Sequence, residues 1–260
     1  MNSKPAVLIT GASSGIGAVY ADRFARRGHD LVLVARDVAR LEALAERLQR
    51  ETSVAVDVLK ADLTDAAELA EVEARLRNDV RIGVLVNNAG APSGSFLDIG
   101  PDAAAKVVAL NVTAVTRLAA AVAPRLVQAG EGAIINIGSV VALVPEFGAT
   151  VYGATKAFVL FLSQGLALEL APKGVYVQAV LPSTTRTEIW ERAGRDVDAM
   201  GAVMEPEALV DAALVGFDRR EAVTIPPLPD AGQWEAFEDA RKAMLPGFLQ
   251  ADPAERYRSV

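Results

Sequence analysis

The chain has 260 residues, 52% of them hydrophobic, and a formal net charge of -7. That size and apolar content can bury a large core, and a single α/β domain of this length is ordinary. The acidic balance argues against a nucleic-acid partner, which would need a basic face, and the absence of cysteine excludes disulfides and thiolate metal sites.

Lys4 leads into a short apolar run, Ala6-Val7-Leu8-Ile9, of the kind a buried parallel strand shows. It is shorter than the roughly 7–15 residues of a signal-peptide core. No uninterrupted run approaches the roughly 18 apolar residues of a membrane span. The expectation is a cytoplasmic protein with no membrane partner. Thr10-Gly11-Ala12-Ser13-Ser14-Gly15-Ile16-Gly17 follows, and Ala18 to Arg27 reads as a helix. A glycine-rich turn between strand and helix is a phosphate cradle, because bare backbone and free helical N–H groups meet the anion there. Gly11 would permit the tight turn, Gly15 the close approach of a ligand, and Gly17 the contact of helix with sheet. The one histidine, His29, lies in a turn before a strand and reads as structural; no metal ligand set is expected.

Leu31 to Ala35 is a second strand, ending in Arg36 and Asp37. Helical periodicity returns at Leu41, Leu44, Ala45 and Leu48. Val54 to Leu59 is a third strand, closing near Asp62, and Asp65 caps a helix through Leu76. Val84-Leu85-Val86 is a fourth strand, followed by Asn87-Asn88-Ala89-Gly90. A loop through Gly94 and Pro101 leads to a long helix that Pro124 is expected to kink or divide. Ala133 to Ile137 is a fifth strand, ending at Gly138-Ser139, and a helix runs from about Val151 to Leu170. Val175 to Leu181 is a sixth strand, with Pro182 and the polar segment Ser183 to Thr187 after it. A helix over Glu205 to Phe217 and a short strand over Ala222 to Ile225 complete the alternation. The pattern predicts a Rossmann-type α/β fold, a doubly wound parallel sheet of about seven strands with helices on both faces. Residues 1–225 form the dinucleotide-binding and catalytic domain. The Pro226-Pro227-Leu228-Pro229 break opens a helical extension of that domain over residues 226–260.

Ligands bind such sheets at the C-terminal ends of the strands. The polar residues that end the strands fit that rule. Tyr152 and Lys156 are four apart at the start of a helix and share one face. A phenol with a reference pKa of about 10 exchanges protons poorly at neutral pH, and a neighbouring ammonium lowers that value. The pair is thus a candidate general acid or base. Ser139, at a strand end on the same rim, is a candidate hydrogen-bond partner for a substrate oxygen. Asn111 is a polar residue in an apolar helix, which suits a satisfied core amide as well as function.

Taken together, these residues resemble the single-domain branch of the short-chain dehydrogenase/reductase family. Thr10 to Gly17 matches its cofactor turn, Asn87-Asn88-Ala89-Gly90 its strand-four motif, and Asn111, Ser139, Tyr152 and Lys156 its catalytic tetrad. The resemblance covers roughly Pro5 to Ile225. It departs at Pro182-Ser183, where the family has Pro-Gly, while Thr187 matches the family's nicotinamide-contacting threonine. The resemblance implies hydride transfer between a nicotinamide cofactor and a carbonyl or alcohol. Tyr152 would move the proton, Lys156 would hold the ribose and lower the tyrosine pKa, Ser139 would orient the oxygen, and Asn111 would hold a relay water. The implied cofactor contacts are Gly11, Ser13, Ser14, Gly15, Ile16, Gly17, Arg36, Asp62, Leu63, Asn88, Ala89, Gly90, Tyr152, Lys156, Pro182 and Thr187, with Asp62 at the adenine.

NADP(H) is the expected cofactor. By alignment to the family, Ala35 stands where an NAD enzyme places a carboxylate, and Arg36 suits a 2′-phosphate. Asp37 is read as the start of the next helix. A loop set of Phe96, Val141, Leu143, Phe147, Ile189 and Trp190 suggests an apolar pocket, or ordinary loop packing. A helix that is apolar nearly all round, from Ala157 to Leu168, predicts a homodimer or homotetramer, the alternative being that the tail after Pro226 covers that face within one chain. The rival readings are a catalytically silent NADP-binding sensor or scaffold, a sugar-nucleotide epimerase or dehydratase, and an enoyl reductase.

Overall fold

The computed structural model describes residues 4–192 and 196–258. Seven parallel strands form one sheet in the order β3-β2-β1-β4-β5-β6-β7. They are β1 (Ala6–Thr10), β2 (Leu31–Ala35), β3 (Val56–Lys60), β4 (Ile82–Asn87), β5 (Gly132–Ile137), β6 (Val175–Val180) and β7 (Val223–Thr224). The order reverses between β1 and β4, and such a switch point opens a crevice at the strand ends.

Strand alternation splits the core into two layers. Val7 and Ile9 of β1 face one side, where they join Tyr20, Phe24, Leu41 and Leu48. Those residues come from α1 (Gly15–Arg26) and α2 (Val38–Thr52). Leu8 faces the other side and joins Leu69 and Leu76 of α3 (Ala66–Asn78) and Leu118 and Leu126 of α5 (Val115–Ala129). Each fully buried Leu or Phe contributes roughly 1.5–3 kcal/mol, so both layers are needed to offset the ordering of the chain.

The long fourth connection differs from expectation. It consists of α4 (Pro101–Val108), a π-helical turn over Ala109–Ala114, and α5. Pro124 does not divide α5, which runs unbroken through it. It lies on the exposed side, as does Ala120, whose carbonyl loses its partner to the proline and can turn to water. The irregularity comes instead at Asn111, in the π turn.

Beyond β5 lie α6 (Thr150–Leu170), a short α7 (Ile189–Arg192) that the sequence pattern did not reveal, and α8 (Pro206–Asp218). His29 is structural: its Nδ1 lies 2.8 Å from the Pro5 carbonyl, and its ring meets Phe24 edge-on. The stretches Pro101–Ala129 and Thr150–Lys173 reach mean hydropathies of 1.6 and 1.3, so by length and composition two helices match a membrane span. Counting uninterrupted apolar runs misses them. Both pack on the sheet, α5 against β5 and α6 against β6, and both helical stretches carry site residues. A second compact unit begins at Pro227, inside the proline run, and contains α9 (Ala231–Ala243).

Candidate active site

The glycine turn is braced from β4. Thr10 Oγ1 accepts from the backbone N–H groups of Asn88 and Ala89, both at 3.0 Å. The Asn88 amide donates to the carbonyls of Thr10 (2.9 Å) and Gly11 (3.2 Å), so Asn88 holds the turn itself. Gly11 and Gly15 adopt φ of +65° and +53°, which side chains rarely do. A Cβ at Gly17 would lie 2.3 Å from the Gly11 carbonyl oxygen and 2.5 Å from Asn88 Nδ2. Gly17 thus permits the turn to pack on itself, beyond the helix–sheet contact expected.

The first helix also leaves its N-terminal donors available. Asp37 and Asp65 cap α2 and α3 with their carboxylates, but Ser14 makes no side-chain cap at α1. Ser13 and Ser14 are half-buried, and Ile16 packs on the core, so backbone lines the turn. Uncapped N–H groups at the positive end of a helix suit a phosphate. The loop after β6 reaches the same place, since a Cβ at Gly15 would meet Thr187 Cγ2 at 2.9 Å.

At the end of β2, Ala35 is buried and the Arg36 side chain is 70% exposed, 3.8 Å from Asp62. Asp37 Oδ1 accepts from the Arg40 N–H at 3.1 Å and is the α2 cap, as read from sequence. Asp62 accepts from the Thr64 backbone and hydroxyl at 2.9 and 2.7 Å. Burial raises its pKa, and the Thr64 bonds with the Arg36 charge more than offset this, leaving it below the usual carboxylate range. The Leu63 side chain is buried in the core.

The four proton-handling candidates meet between β5 and α6. Ser139 ends β5, donates to the Pro182 carbonyl at 3.2 Å, and shares a hydrogen bond with the Tyr152 phenol. Lys156 is buried, and its Nζ donates to the Ile137 carbonyl at 2.7 Å. It lies 5.6 Å from the centre of the Tyr152 ring. Gly90 completes the group: a Cβ there would approach Asn111 Oδ1 at 3.4 Å and Lys156 Nζ at 3.5 Å. Asn111 is not a spare amide. Its Oδ1 accepts from the Ala91 N–H, and its Nδ2 donates to the Ala91 carbonyl, both at 2.9 Å, and to Thr155 Oγ1 at 3.0 Å.

The electrostatics correct one expectation. Burial pushes the Tyr152 phenol up to about 12, with only the Ser139 hydrogen bond pulling the other way. Burial also pushes the Lys156 ammonium down to about 8. Lys156 is turned towards the Ile137 carbonyl, so desolvation outweighs any lowering of the phenol by its charge. The phenol is therefore protonated at physiological pH.

Sequence reasoning missed the supports. Ser93 Oγ accepts from the Tyr152 N–H at 3.1 Å, and Thr155 Oγ1 donates to the Tyr152 carbonyl at 2.7 Å. Beneath the site, Asn87 donates to Asn136 (3.0 Å) and Asn136 to Ser163 (2.9 Å). Asn136 was findable, because an amide within the strand Ala-Ile-Ile-Asn-Ile must have a buried partner.

The family model for short chain dehydrogenase matches residues 5–198. A sulfoacetaldehyde reductase of Chromohalobacter salexigens is 36% identical over 89% of this chain and 96% of its own length. Among solved structures, a short-chain dehydrogenase from Sphingobium yanoikuyae in complex with NADPH is 66% identical, with a TM-score of 0.96 over 98% of this chain and all (100%) of that one. The bulky-bulky ketone specific alcohol dehydrogenase from Comamonas testosteroni is 57% identical, with a TM-score of 0.93 over 99% of this chain and 100% of that one.

Proposed function

The chain belongs to the short-chain dehydrogenase family, and from that membership we propose that it reduces ketones carrying bulky groups on both sides of the carbonyl, with NADPH preferred over NADH. The observation that carries this reading is the Tyr152 phenol, hydrogen-bonded with Ser139 beside Lys156 between β5 and α6. The bound nicotinamide would supply the hydride to the carbonyl carbon. Everything else falls to the chain. The uncapped turn over Gly15, Ile16 and Gly17 would hold the pyrophosphate, with Ser13 and Ser14 beside it. Arg36 would hold the 2′-phosphate, Asp62 and the Leu63 backbone the adenine, and Ala89, Gly90, Pro182 and Thr187 the nicotinamide end.

Tyr152 donates its proton to the ketone oxygen, which becomes the alcohol hydroxyl. Ser139 turns its hydroxyl from the Pro182 carbonyl to donate to that oxygen and fixes its position. Lys156 keeps a positive charge near the phenol at neutral pH, which favours the phenolate left by proton transfer. Asn111 positions Thr155, and through it the first turn of α6.

The bulky substrate class rests on the bulky-ketone specificity of the Comamonas relative and on exposed apolar loop residues, Phe96 at 63% and Phe147 at 65% exposure. The NADPH preference rests on the exposed Arg36 guanidinium, on Asp37 being spent as a helix cap, and on the NADPH in the Sphingobium relative. A second copy of the chain would cover the apolar face of α6, where Phe161 and Leu168 are 78% and 81% exposed. Reduction of this kind draws on the cytoplasmic pool of reduced cofactor, and the cytoplasm is its proposed location. The test is a panel of dialkyl, aryl-alkyl and diaryl ketones with each cofactor. Turnover of the bulkiest members with NADPH supports the reading. Turnover of small aldehydes alone would replace the substrate class.

A further inference from the structure

Helix α6 starts without a local cap. Ala149 stands just before it and has no side-chain acceptor, whereas α2, α3 and α9 are each preceded by an aspartate that caps them. Tyr152 is the third residue of α6, and its N–H is one of the donors that a helix cannot satisfy internally. The acceptor comes from 59 residues upstream, as Ser93 Oγ at 3.1 Å. Ser93 lies in the loop that leaves β4 through Asn88, Ala89 and Gly90. The same loop reaches the other side of the tyrosine. Ala91 pairs twice with Asn111, Asn111 donates to Thr155, and Thr155 donates to the Tyr152 carbonyl. One loop thus grips both the N–H and the C=O of the residue that carries the phenol.

We propose that Ser93 is a positioning residue for Tyr152, a remote helix cap that ties the end of β4 to the proton donor. The proposal rests on the reading of Tyr152 as the proton donor in ketone reduction. By gripping the peptide from which the side chain springs, Ser93 limits the phenol's drift relative to Ser139. Placement errors of this sort reduce the rate of a step without changing the affinity of a ligand bound elsewhere.

The test compares Ser93→Val with Ser93→Thr, which share a shape and differ in the acceptor oxygen. The first readout is the single-turnover rate of ketone reduction in NADPH-loaded enzyme. Ser93→Val should lower it roughly 2- to 30-fold, the range that loss of an N-cap converts to. The NADPH dissociation constant should stay unchanged, and Ser93→Thr should restore the wild-type rate within about twofold. A Ser93→Val rate equal to wild type, or equal losses in both variants, would overturn the proposal. The second readout is amide hydrogen exchange in the first turn of α6, which needs no turnover. Faster exchange in Ser93→Val than in Ser93→Thr supports the cap, and equal exchange overturns it. Wild-type enzyme that reduces no ketone, with exchange behaving as expected, would instead strike the proposed function and leave the cap standing.

Discussion

Lys156 should write its burial into the pH dependence of stability. Its ammonium titrates near 8 in the folded chain, against about 10.4 for an exposed lysine. Between those values the unfolded chain holds more protons than the folded one, so stability rises with pH. Below pH 8 both states are protonated, and the native state carries the full cost of burying the charge. Integrating from pH 7 to pH 10 gives a gain of roughly 2–3 kcal/mol from this one group. Above pH 10 the raised phenols of Tyr152, Tyr20 and Tyr176 reverse the trend, because the unfolded chain then loses protons first. The clean window is therefore pH 8 to 10. The perturbation is Lys156→Met, which removes the titration and leaves the Ile137 carbonyl without its 2.7 Å donor, a pH-independent loss of about 1–3 kcal/mol. The assay is urea unfolding of both proteins across the window. Their stability difference should change by roughly 2–3 kcal/mol in favour of wild type as pH rises. Parallel curves would mean that Lys156 titrates normally and that burial does not govern it.

Three further outcomes test other parts of the account. Gly17→Ala should weaken NADPH binding by on the order of a hundredfold, since its Cβ would lie 2.3 Å from a backbone oxygen and displace the turn by about 1 Å. Ala35→Asp should move cofactor preference towards NADH, and Arg36→Ala should cut the NADPH preference about 10-fold or more, measured as kcat/KM with both cofactors. Light scattering at micromolar concentration should give a dimer or tetramer, and Phe161→Glu on the exposed face of α6 should dissociate it.

The strands, their order of alternation and the helix caps were legible because each rests on local chemistry. Continuous apolar runs mark buried parallel strands, and Asp37 and Asp65 sit one residue before their helices. The candidate site was legible as a set of strand ends, and Ser139, Tyr152, Lys156 and Asn111 do meet there. Its supports were not, because they join distant segments. Ser93 caps a helix 59 residues away, and nothing in its neighbourhood signals that. The π turn at Asn111 coincides with the side chain's two bonds to Ala91, which no periodicity records. Tyr152 misled in a different way. Spacing placed Lys156 beside it, but the sign of the pKa shift depends on how deeply both are buried, and only three dimensions give that.

The most direct test of the central claim is NADPH consumption by wild type and Tyr152→Phe with a ketone bulky on both sides. Wild type should oxidise NADPH and form the alcohol in equal amounts. Tyr152→Phe should bind NADPH with nearly the same affinity and turn over about 10²–10⁴-fold more slowly, the usual contribution of a general acid. Turnover by Tyr152→Phe close to wild type, with the same product, would contradict Tyr152 as the proton donor and with it the mechanism built around it.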